Sequence, residues 1–397
     1  MYLKGYGRFD MKKYFLILLS VLVLGEIQAS VAPRISVLTC SPGHELYSVF
    51  GHTALRVQDT IDSKPLDLVF NYGTFQFTDD FYYKFAQGRL DYYLSVAPFY
   101  EFQQQYLFDG RGIREQYLQM SDADLIVLEQ LLFENSEEAN ATFRYHFFKD
   151  NCSVRVWEII KKASSQPIQI QRAQPHSTFR QAIQTYLNYM PWGDWGIDLA
   201  LGAPCDDKME MENLAFLPDS LENLLAHAQY GHSPLVARSV EMFPVDQELI
   251  LPRWNFPFVV NLLLLVMIVG GGIYFSKQGK LRTWLETLTM LIFGWLGLFL
   301  IFLWFFTDHD TTHANWNLLW ANPIWFYLMW YAPRRCAGWQ RKITWIQLSL
   351  TLISFLGFGL LPQSFHIAVL PLLLIQVYTL LKNVKPFWFT QQLNEKV

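Results

Sequence analysis

The most reactive side chain on offer is Cys152. In "FKDNCSVRVWEII", residues 148–160, it follows Asp150 and Asn151 and opens an amphipathic run. Asn151 or Asp150 is a natural N-cap, so the thiol is expected at a helix start. There, free amides and the positive end of the helix dipole favour thiolate. The amides of Cys152 and its neighbour are also candidates to hold an oxyanion. A nucleophile of this kind needs a base. "FGHTALRV" supplies one: Gly51 and His52 open a strand, which lets the imidazole project into a cleft. His44 follows a Pro-Gly turn and reads as exposed; His146 lies in an apolar run and reads as packing. A third polar group should orient the imidazole, and Asn71, Asp67 and Glu45 are the candidates.

The elements that must position these groups mix strands and helices. "RISVLTC", "HTALRVQD" and "LDLVFNYGTF" read as strands, with a turn at Pro42-Gly43. "FYYKFAQGRLDYYLSVAPF" mixes a short helix with a strand. "SDADLIVLEQLLFENSEE" is a helix with Ser121 as N-cap and Leu125, Leu128, Leu131 and Leu132 on one face. "SLENLLAHAQY" is a last helix, followed by a linker of roughly twenty residues. The soluble part therefore reads as α+β.

The whole chain has 397 residues, 52% hydrophobic and 17% aromatic, with net charge −4. No basic stripe appears, which excludes a nucleic-acid binder. No ligand pattern for a metal appears around Asp308, His309, Asp310 and His313, and no cofactor is implied. At the start, Lys12 and Lys13 precede an apolar run that ends in small residues near Ala29, the pattern of a signal peptide over 1–29. An uncleaved anchor is the alternative. Residues 30–252 then form an exported domain and 253–397 a membrane domain. Apolar segments near 257–276, 284–306, 317–332, 343–361 and 366–381 predict about five membrane helices. Lys277, Lys280, Arg282, Arg334, Arg335, Arg341, Lys342, Lys382 and Lys385 cluster in alternate connections, which places those connections in the cytoplasm and residues 30–252 outside it. The loop 307–317 then faces the exported domain. His313, Asn315, Asn317 and Asn322 at the mouth of the third span are candidates for substrate binding, because polar groups there are costly unless paired or functional. Trp192 and Trp195 suit either an interfacial position or packing between domains.

Four cysteines are present, and Cys336 falls in a cytoplasmic connection. Cys40, Cys152 and Cys205 share an oxidising compartment, so one is left over. If Cys152 is free, Cys40–Cys205 is the candidate disulfide.

A histidine entering a strand, then a cysteine opening a helix about 100 residues later, resembles the circularly permuted papain-like (NlpC-type) fold. More specifically, "PGHELYSVFGHTALRV", "VFNYGTF", "YHFFKDNCSVR", "WGIDLALG" and "NWNLLWANP" resemble the Lnb family. That resemblance implies a periplasmic catalytic domain followed by an all-α membrane bundle in the bacterial inner membrane. The implied activity is lipoprotein N-acylation. A fatty acyl chain passes from a phospholipid, through a cysteine thioester, to the α-amine of a diacylated lipoprotein. His52 and Cys152 match the catalytic positions; Glu45 matches an acidic position after Pro-Gly with no assigned role. Two readings compete: a membrane-anchored NlpC-type amidase or peptidase acting on cell wall, and a non-enzymatic accessory protein in which Cys152 is structural.

Overall fold

The computed structural model describes residues 32–61, 63–76, 78–170, 178–245, 252–274, 279–331 and 338–384. The expected signal peptide, Lys277, Arg334, Arg335, Cys336 and Lys385 lie outside them. The N-terminal part is built on a seven-stranded antiparallel sheet. Its strands are β1 (Arg34–Cys40), β2 (His52–Ile61), β3 (Lys64–Thr74), β4 (Asp91–Pro98), β5 (Ile113–Leu118), β6 (Thr142–Arg144) and β10 (Val236–Phe243), in the order β10-β5-β1-β2-β3-β4-β6. Three short strands, β7 (Ile168–Ile170), β8 (Ala228–Tyr230) and β9 (Ser233–Pro234), form a second sheet.

Period-two alternation in the long strands creates two apolar faces. Ile35, Val37, Leu55, Val57, Phe70 and Tyr72 face one side. Helices α3 (Asp122–Ser136), α4 (Cys152–Ala163) and α7 (Pro218–Ala226) cover them, burying Leu128, Leu132, Val156, Ile160, Leu221 and Leu225. Leu38, Cys40, Ala54 and Val69 face the other side, under Phe102 and Tyr106 of α2 (Phe99–Phe108). Arg56 lies over the Phe99 ring at 3.5 Å and donates two 2.7 Å bonds to Asp67. A short helix, α1 (Phe81–Gln87), precedes β4 and ends at Gly88 in the left-handed region. Helices α5 (Phe179–Leu187) and α6 (Pro191–Ala200) follow the central sheet helices.

The expected linker before the membrane half is partly a strand: β10 pairs with β5, Ser239 opposite Gln116. Helices α8 (Phe256–Tyr274), α9 (Gly279–Phe305), α10 (Ile324–Tyr331), α11 (Trp339–Leu356) and α12 (Val369–Val384) complete the described chain. Among the described residues, Phe256–Tyr274 and Glu286–Phe305 are the two segments long and apolar enough to cross a bilayer. The expected third span, 317–332, is α-helical only from Ile324, after a single 3-10 turn over Trp316–Leu319. Asn322 and Pro323 interrupt it, and the Asn322 amide oxygen accepts from the Ile324 amide as a helix start. This irregular stretch is tolerated because Trp320 and Ala321 are fully buried.

The two halves are stitched together. The Gly202 amide donates to Thr311 O at 2.8 Å, and Gln363 donates to Leu201 O at 2.9 Å. Arg89 pairs with Asp308 at 2.8 Å, and Asp310 accepts from His146 at 2.7 Å and pairs with Lys149. The loop after α9 therefore lies on the same side as the sheet. His146 is a seam residue, contrary to the packing role its apolar neighbours suggested.

Candidate active site

Cys152 is the first residue of α4, and Asn151 caps that helix. The Asn151 amide oxygen accepts from Ser153 N at 2.9 Å and Val154 N at 3.0 Å. Its amide nitrogen donates to Phe147 O and Phe216 O. One side chain thus fixes the helix start from both directions. It also occupies the Ser153 amide, which the sequence offered as an oxyanion donor. The Cys152 amide is not taken by this cap.

His52 opens β2, as expected, and its imidazole and the Cys152 thiol act on each other strongly enough to shift both groups. Its Nε2 lies 2.7 Å from Asn71 Oδ1 on β3. The Gly73 amide donates to the same oxygen at 2.8 Å, which identifies that atom as the carbonyl oxygen. Nε2 must then carry a proton, and Nδ1 is left for the thiol. Gly73 has a second function. A Cβ there would stand 2.3 Å from His52 Cε1, so the ring occupies space that any other residue would fill. Thr53 and Ser153 join β2 to α4 through their hydroxyls at 3.0 Å, locking the strand that carries the base to the helix that carries the nucleophile.

Electrostatics separate the three described thiols, all of which are free. Burial pushes Cys40 and Cys205 up to about 12. Burial also pushes Cys152 up, but the charge of His52, its hydrogen bond, the Thr53 amide and the Ser153 hydroxyl outweigh it, and the net direction is down. His52 moves the other way. Burial lowers it, while the charge and hydrogen bond of Cys152 and the Asn71 bond raise it, for a net upward direction. Thiolate beside imidazolium is the arrangement these shifts favour. The candidate Cys40–Cys205 disulfide is not formed: Cys40 packs beneath α2, and Cys205 donates to Thr311 O at the seam.

The other residues singled out by sequence lie elsewhere. Asp67 is bound to Arg56. Glu45 is exposed on the turn before β2, where its backbone carbonyl accepts from Ser48. Asn315 and Asn317 donate to Leu199 O at 2.8 and 3.3 Å, and Asn322 donates to Gln347 at 3.1 Å. All three are buried in these internal bonds, while His313 is partly exposed on the same loop. Trp195 packs with the membrane-half core, and Trp192 is exposed. Among the described residues no cluster of three or more metal-binding side chains occurs.

Sequence reasoning missed Gly73, Thr53 and Ser153. The signal for Gly73 was present in "NYG", where a glycine stands two residues after the asparagine.

Residues 28–185 match the family model for the Lnb N-terminal periplasmic domain, and residues 251–390 match that for the Lnb transmembrane domain. The chain belongs to the Lnb family. It is a membrane protein whose N-terminal domain is periplasmic, and the first match takes in His52, Asn71 and Cys152. No curated protein and no solved structure matches it.

Proposed function

We propose that this Lnb-family protein is a lipoprotein N-acyltransferase working through a Cys152 thioester. The observation that carries the proposal is one thiol, alone among the described cysteines in being lowered and lowered chiefly by His52, in a domain hydrogen-bonded to its own transmembrane domain. Residues 30–252 form the periplasmic catalytic domain, with a permuted papain-like arrangement of base before nucleophile. Residues 253–397 form a five-span domain in the bacterial inner membrane, with residues 1–29 as the signal peptide.

His52 Nδ1 takes the Cys152 proton, and the thiolate attacks an ester carbonyl of a phospholipid. The C–O bond breaks, the lysolipid leaves with the proton from His52, and an acyl thioester remains on sulfur. The α-amine of a diacylglyceryl-cysteine lipoprotein then attacks the thioester. His52 receives the amine proton, the C–S bond breaks, and the thiol is restored. Asn71 keeps the ring in the required tautomer. The Cys152 amide is one oxyanion donor, and a donor of this kind contributes about 2.7–4 kcal/mol. Both substrates are anchored in lipid, which accounts for a large membrane domain that soluble cell-wall substrates would not require.

The test is mass spectrometry of a diacylated lipopeptide incubated with the purified protein and phospholipid, wild type beside Cys152→Ala. The expected result is an acyl-sized gain on the peptide α-amine that the variant lacks. No gain with folded wild type removes the proposal and favours a hydrolase.

A further inference from the structure

The loop that ends α9 touches one element of the sheet domain with unusual closeness. The Asp308 amide donates to Gln87 O at 2.8 Å, and His309 Nε2 donates to Phe85 O at 3.0 Å. These bonds hold α1 beside the end of a helix long and apolar enough to cross a membrane; its last residue, Phe305, and the next, Phe306, are exposed. Phe85 on α1 is also exposed, at 54%.

From Phe85 a row of rings runs toward the thiol. Phe85 and Phe81 are parallel with centroids 6.4 Å apart, and Phe81 stacks on Phe75 at 5.5 Å. Phe75 meets Tyr92 at 5.1 Å, and Tyr92 stacks on Tyr145 at 4.1 Å. Phe75, Phe81, Tyr92 and Tyr145 are each only partly buried, so the row presents an apolar edge to the outside. Tyr92, Tyr145 and Cys152 pack against the same core cluster. Burial raises both phenols, and the charge of Cys152 raises them further. The row therefore begins where α1 is bonded to the loop after α9 and ends on the core cluster against which Cys152 also packs.

We infer that Phe85, Phe81, Phe75, Tyr92 and Tyr145 form a track along which the acyl chain of the phospholipid donor lies while its ester carbonyl meets Cys152. This inference rests on the acyl-transfer function proposed above. The donor's chain is the occupant because its carbonyl is the one that bonds to sulfur. The glyceryl chains of the lipoprotein never do, and its amine must approach from outside the track. Partly exposed rings offer contact that grows with chain length, the pattern expected of a site that selects long chains.

The track is tested by following acyl-Cys152 formation by intact-protein mass spectrometry in the full-length protein. Two donors with the same headgroup are compared: dipalmitoyl and dihexanoyl phosphatidylethanolamine. For Phe81→Ser, the ratio of long-chain to short-chain acylation rates should fall about tenfold, the scale of lost apolar contacts in a substrate pocket. Phe81→Leu, which keeps the edge apolar, should restore the ratio to near the wild-type value. An unchanged ratio in Phe81→Ser overturns the track while leaving the transferase intact. So does an equal loss with both donors, which would make Phe81 a prop for the site. If wild type is acylated by neither donor, the transferase reading itself fails and the track falls with it.

Discussion

At the scale of single residues, the chemistry turns on an opposed pair of shifts. The Cys152 thiol is lowered and the His52 imidazole raised, and both shifts favour the ion pair. Alkylation of Cys152 by iodoacetamide should therefore continue well below the ordinary thiol range, about pH 8.5, and fall only as pH drops through the lowered value. His52→Ala removes the imidazolium and leaves burial opposed only by the Thr53 amide and the Ser153 hydroxyl, so the same profile should move to higher pH. A profile that stays in place would separate His52 from thiol activation. Cys40 and Cys205, pushed up to about 12, should not react at neutral pH. In turnover, His52→Ala should cost roughly 10²–10⁴-fold, and Asn71→Ala less, because the ring keeps its place between Gly73 and the thiol but loses its fixed tautomer. Lipopeptide acylation rates at fixed pH measure both.

At the scale of elements, the site is a meeting of a strand start, a mid-strand asparagine and a helix start. Gly73→Ala would drive a methyl against the His52 ring, and displacement on that scale should reduce turnover about 10²-fold with circular dichroism unchanged. Wild-type rates in Gly73→Ala would remove its positioning role. Asn151→Ala deletes the α4 cap and leaves the Phe147 and Phe216 carbonyls without a partner. It should cost about 1–3 kcal/mol, read as a lower melting temperature in detergent. The cap and the Cys152 helix were legible because their signals are local: Asn, then Cys, then an amphipathic run. Asn71 could only be one of three candidates, since strand alternation puts Asp67 and Asn71 on the same face. What separates them is the register: Asp67 faces Gln58, while Asn71 reaches the strand mouth where His52 begins. β10 was not legible because its partner, β5, lies far upstream and none of its own side chains is fully buried. The helical part of the third apolar segment was shorter than its hydropathy implied, because Asn322 and Pro323 set its start.

At the scale of the whole molecule, the seam between the halves is the feature that gives the site its setting. Gly202 lies against the loop after α9 so closely that a Cβ would overlap His313 O. Gly202→Ala should open the seam, and hydrogen exchange should rise together in 198–206 and 307–317 while the strands of the sheet keep their protection. Unchanged exchange in both segments would show that other bonds hold the seam unaided. The seam itself also answers a question about dosage. On the acyl transfer proposed above, a thiol tied by backbone hydrogen bonds to its own transmembrane domain would meet its substrates within a layer, not throughout a volume. Its rate should follow the mole fraction of donor and lipoprotein in the membrane. Diluting the vesicles with buffer should leave turnover per protein nearly constant, whereas diluting the membrane with inert lipid should slow it.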